Sequence, residues 1–72
     1  MDKDPIYPRF FIADSVGILY WRAVSDSEIY YHKNKTTKGR SGARSIAELL
    51  RSHKKYNIRE IPEAELALLL TL

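Results

Sequence analysis

Hydrophobic positions along the chain keep one period up to about residue 33 and another after residue 45. From Tyr7 to Lys33 the recurring residues are aromatic and β-branched, and turn chemistry interrupts them at Asp14-Ser15-Val16-Gly17 and Ser25-Asp26-Ser27. The pattern predicts three strands, over residues 7–14, 18–25 and 28–33, with links short enough to force an antiparallel meander. Residues 34–42 hold two glycines and no apolar side chain, which predicts a loop. Ile46, Leu49, Leu50 and His53 then fall at i, i+3, i+4 and i+7, one face of a helix running to about residue 55. Ser45 and Glu48 have the spacing of a capping box, with Ser41 as the competing cap. Residues 56–61 predict a short strand or an extended linker. Pro62 reads as the first residue of a second helix, with Glu63 and Glu65 suited to the positive end of its dipole.

The expected fold class is therefore α+β: a three-stranded antiparallel meander, a helix, a short fourth strand and a C-terminal helix, with the helices on one face of the sheet. Residues 1–72 form one small domain, of which 1–5 are expected to be disordered. Alternation along the strands places Phe10, Ile12, Leu19, Trp21, Ala23, Ile29 and Tyr31 on one face, to pack against Ile46, Leu49 and Leu50. Arg9, Phe11, Tyr20, Arg22, Tyr30 and His32 make the other face. That second face mixes aromatics with cations, a composition on which bases stack and phosphates pair, although cross-strand aromatic pairs also stabilise sheets directly.

Composition narrows the chemistry. The 72 residues contain no cysteine, so disulfides and thiolate metal sites are excluded, and two lone histidines make a structural metal site only if carboxylates complete it. The fold must rest on packing, extended by self-association if at all, and a core of this size rarely supplies more than roughly 3–5 kcal/mol. No run approaches the roughly 18–20 apolar residues of a membrane span, and the acidic, proline-containing start is not a secretory signal. A cytoplasmic setting without membrane association is the expectation.

Charge is distributed unevenly. Residues 1–31 hold three bases and five acids, 32–55 eight bases and one acid, and 56–72 one base and three acids. The overall +3 thus conceals +7 in the middle third, carried by Lys33, Lys35, Lys38, Arg40, Arg44, Arg51, Lys54 and Lys55. Such a segment attracts polyanions. The stretch Lys38-Gly39-Arg40-Ser41-Gly42-Ala43-Arg44, leading into a helix start, would add free backbone N–H groups for a phosphate. It lacks the spacing of a nucleotide-binding P-loop.

From Tyr30 to Lys55, with Gly39-Arg40-Ser41 and with Ala43 ahead of Ala47, the order of sheet, basic loop and helix resembles two nucleic-acid-binding architectures. One is the arm-binding domain of tyrosine recombinases, in which a three-stranded sheet backed by one helix enters a groove. The other, more loosely, is the second half of a double-stranded-RNA-binding domain, in which a basic helix start meets phosphates. The chain departs from the latter in having no helix before its strands and no paired lysines at the helix start.

Catalysis is disfavoured. The only acid–base candidates are His32 and His53, each needing Asp14, Asp26 or Glu28 nearby, and no cofactor or metal ligand set is visible. The remaining unusual feature is the C-terminal segment, which becomes almost wholly apolar after Glu65. It predicts either a core element or a homodimer or protein-partner interface through Leu66, Leu68, Leu69 and Leu72. The expected function is a small non-catalytic nucleic-acid-binding module. Lys33, Lys35, Lys38, Arg40, Arg44 and His32 would meet phosphates, and Tyr20, Arg22 and Tyr30 would meet bases or sugars. The alternative is a regulatory adaptor acting through the leucine-rich C-terminal helix.

Overall fold

The computed structural model describes residues 6–13, 18–52 and 57–71. The expected disorder of 1–5, the first turn, the C-terminal end of the first helix with His53, Lys54 and Lys55, and Leu72 lie outside the described residues. The chain is α+β, a five-stranded antiparallel sheet with two helices. Its elements are β1 (Arg9–Ala13), β2 (Leu19–Ser25), β3 (Glu28–Lys33), β4 (Thr36–Arg40), α1 (Ile46–Ser52), β5 (Arg59–Ile61) and α2 (Glu63–Leu70). The spatial order of strands is β4-β3-β2-β1-β5.

Two-residue turns build the central hairpins. Asp26 and Ser27 join the paired ends of β2 and β3, and Asn34 and Lys35 join β3 to β4. Asn34 takes φ of 55°, a left-handed conformation that asparagine tolerates better than most residues. Its side-chain oxygen also accepts a hydrogen bond from the Ile18 N–H at 3.0 Å, so the turn is tied to the entry of β2. The segment read as a loop is thus largely the edge strand β4. Its pairing with β3 is interrupted between Tyr31 and His32, where Lys38 is the extra residue and Gly39 takes φ of +125°. Only glycine adopts that value without strain.

The sheet is covered on both sides, contrary to the expectation of helices on one face. Ile46 and Leu49 of α1 pack with Phe11, Ala13, Trp21, Ala23 and Ile29. On the opposite face Leu66 of α2 packs with Phe10, Tyr20 and Ile61, flanked by Ile12, Leu69 and Leu70. Register makes the parity explicit, because Phe11 pairs with Trp21 and Ile12 with Tyr20. The expected faces of β1 are therefore exchanged: Phe11 belongs to the α1 side, and Phe10 and Ile12 to the α2 side. Leu50, expected in the core, is partly exposed.

Capping follows the sequence. Ser45 Oγ accepts from the Glu48 N–H at 3.1 Å, while Glu48 reaches back to the Arg44 N–H at 2.7 Å, one residue earlier than in the standard reciprocal box. Pro62 is the cap of α2 and not its first helical residue. On β1 and β5, Arg9 donates two hydrogen bonds to Glu60, at 2.9 and 2.7 Å. That pairing holds the Glu60 carboxyl below its ordinary range and the Arg9 guanidinium above its own.

Candidate nucleic-acid interface

On the face that carries α2, two rows of side chains run across the sheet. One passes through Arg40, Tyr30, Arg22, Phe10 and Ile61, the other through Thr37, His32, Tyr20, Ile12 and Arg59. The expected group of Tyr20, Arg22, Tyr30 and His32 is brought together here, joined by Arg40. Its members do not share the same access to solvent.

Tyr20 is 9% exposed and lies in the cluster beneath Leu66. His32 is 6% exposed and stacks on Tyr20, with ring centroids 4.6 Å apart and planes 9° from parallel. Neither presents a surface to a ligand, which corrects their assignment as nucleic-acid contacts: the helix that completes the core covers one ring, and that ring covers the other. Thr37 Oγ1 lies 3.1 Å from His32 Nδ1, and His32 Nε2 is buried with no hydrogen-bond partner. Burial, and secondarily the charge of Arg22, pushes the His32 imidazole below its ordinary pKa.

Arg22 and Tyr30 are half-buried and engage each other. The Arg22 guanidinium carbon sits 5.3 Å from the Tyr30 ring centre, a cation–π arrangement. The Tyr30 hydroxyl donates to the Glu28 carboxylate, and that bond raises the phenol's pKa. Arg40 donates to the Ser27 carbonyl at 3.2 Å, which anchors the end of β4 to the β2–β3 turn.

The remaining predicted cations are open. Lys33, Lys35, Lys38, Arg40 and Arg44 are all exposed, as is every residue of β4. Between Lys33 and Ala47 the chain carries these five cations and no carboxylate. Lys33 and Thr36 form a cross-strand pair on the α1 side of the hairpin, Thr37 and Arg40 lie on the other side, Lys35 is in the turn and Lys38 is at the bulge. Positive charge therefore lies on both faces of the β3–β4 hairpin toward β4 and its turn, with the Glu28 carboxylate at the start of β3.

The backbone reading of the same segment is corrected. The Ser41 N–H donates to the Ile29 carbonyl at 2.8 Å, the Ala43 N–H to Ser41 Oγ at 3.2 Å, and the Arg44 N–H to Glu48. These groups close the link between β4 and α1, and the Glu48 carboxylate already occupies the helix start. What the segment leaves exposed is the side chains of Lys38, Arg40 and Arg44.

The C-terminal leucines divide. Leu66 is core at 4% exposure, and Leu69 and Leu70 pack partly against the same cluster. Leu68 is 69% exposed, beside Ala64 and Ala67 on the outer side. The expected four-leucine interface therefore reduces to Leu68 among the described residues. Among the described residues His32 has no carboxylate hydrogen-bonded to it, and no three His, Asp or Glu side chains gather into a metal site. No described helix is long and apolar enough to cross a membrane. Compared with known proteins, the chain matches no family model, no curated protein and no solved structure.

Proposed function

We propose that the chain is a small non-catalytic module that binds nucleic acid through the cationic β3–β4 hairpin and the Arg44 side chain beyond it. The observation that carries this reading is the exposure of five cations on and beside a two-stranded ribbon, in a stretch with no acid to neutralise them. Phosphates pair with such side chains without needing free backbone groups, and counterion release from the polyanion drives the association. The sheet aromatics have a supporting part: Tyr20 and His32 brace the underside of the hairpin, and Arg22 and Tyr30 line its inner margin.

Fluorescence anisotropy of labelled DNA and RNA at about 50 and 200 mM salt tests the reading. Binding is expected to weaken with a slope near −0.9 per phosphate neutralised on duplex DNA. Lys35→Gln and Lys38→Gln are each expected to lower that slope by about 0.9. Salt-independent binding, or unchanged slopes in both variants, contradicts the assignment. The adaptor reading rests on Leu68, and it predicts instead that Leu68→Lys abolishes association while the lysine variants are silent.

A further inference from the structure

We infer that the nucleic acid recognised is double-helical DNA, held with the β3–β4 hairpin in its major groove. This rests on the nucleic-acid reading above and narrows it, and three features of the molecule lead to it.

The first is the state of the rings. Binding of single strands depends on aromatic faces on which successive bases stack. Among the described residues, Phe10, Phe11, Tyr20 and Trp21 are buried, Tyr31 leans on Trp21 at 5.8 Å, and Tyr7 packs against the α1-side cluster. One face of the half-buried Tyr30 ring is taken by the Arg22 guanidinium. The described residues offer no row of open rings on which successive bases could stack, which favours recognition through base edges and phosphates.

The second is coverage. With α1 on one face and α2 on the other, the three central strands cannot lie flat against a duplex. A sheet-in-groove mode backed by a single helix is closed by α2, which sits on Phe10, Tyr20 and Ile61. What lies beyond both helices is the edge strand β4 with the Asn34–Lys35 turn that joins it to β3, and β4 is exposed throughout. Entering edge-on, the side chains on the two faces of β4 span about 10 Å, and a B-form major groove about 12 Å wide admits them. The deep, narrow major groove of A-form RNA does not admit them.

The third is the distribution of donors. Lys33 and Thr36 face one side of the ribbon, Arg40 faces the other, and Asn34 and Lys35 form its tip. A ribbon in a groove meets phosphates on both walls and base edges at its tip, and this arrangement supplies donors to each. The bulge at Lys38 and the φ of +125° at Gly39 interrupt the outer edge of β4, which blunts its pairing with a further strand.

The experiment compares the full chain's affinity, at one salt concentration, for a DNA duplex of about 20 base pairs, or two turns, for each of its single strands and for an RNA duplex of matching sequence. Bound DNA duplex is then challenged with methyl green, which occupies the major groove, and with distamycin, which occupies the minor groove. The inference predicts that the DNA duplex binds at least about tenfold tighter than either other form, about 1.4 kcal/mol. Methyl green displaces the protein and distamycin does not. Arg59→Gln, at the opposite edge of the sheet, leaves the affinity unchanged, whereas Lys35→Glu weakens it. Equal or tighter binding to single strands or to duplex RNA, or release by distamycin, overturns the inference while the nucleic-acid reading stands. No binding to any of the three overturns both.

Discussion

Among the described residues His32 has one hydrogen-bond partner for two ring nitrogens, and that asymmetry makes it sensitive to protons. A neutral imidazole bonded to Thr37 leaves one nitrogen unpaired, whereas an imidazolium has two N–H donors and finds an acceptor for only one. Among the described residues the charged groups on its face of the sheet are Arg22, Arg40 and Arg59, with Glu28 and Glu65, and Arg22 adds repulsion to the cost of burial. The folded state thus binds this proton less readily than the unfolded chain. The stability His32 contributes is fully present above its ordinary pKa of about 6.5 and is lost as pH falls below it. Urea midpoints measured above and below that value should show an acid-dependent loss that His32→Phe, which keeps the stack on Tyr20, reduces. Equal losses in both proteins would refute this account. At the same scale, adjacent Phe10 and Phe11 show why the face of β1 was not readable. Alternation marks an inward face only when the other is wet, and here both phenylalanines are buried, beneath different helices.

Among the elements, the meander was legible because turn residues bracket its strands, and β3 occupies the residues expected of it. The edge strand β4 was not, because Thr-Thr-Lys-Gly-Arg has no apolar member and lies exposed on both faces, so burial leaves no trace in its sequence. Its two threonines and the Asn34 turn were the available signals. The start of α1 followed from Ser45, and Ser45→Ala should cost about 1 kcal/mol of stability in chemical denaturation. In α2 the apolar run conceals a division of labour that only the register of the helix on the sheet settles. Leu66→Ala is expected to cost about 2–5 kcal/mol by creating a cavity under the helix. Leu68→Ala should stay within about 0.5 kcal/mol. Equal costs at the two positions would contradict the packing of α2 described above.

Taken whole, the molecule divides its one sheet between two small clusters, and both share β1 and β2 as their floor. That arrangement gives a 72-residue chain without disulfides two covered faces, while leaving the outer strand β4 at the far edge free of core duties. Charge follows the same division: acids predominate toward both ends of the chain, and the cations gather on the hairpin and the segment leading into α1. The charge asymmetry was legible by counting. That it would lie on both faces of a hairpin was not, since β4 itself was hidden. The central claim is that this ribbon is the binding surface, and a titration of the isotopically labelled protein with duplex DNA, followed by amide chemical shifts, tests it residue by residue. The account predicts shifts concentrated between Lys33 and Arg44, with the amides of α2 unmoved; shifts centred on α2, or none on the hairpin, would contradict it.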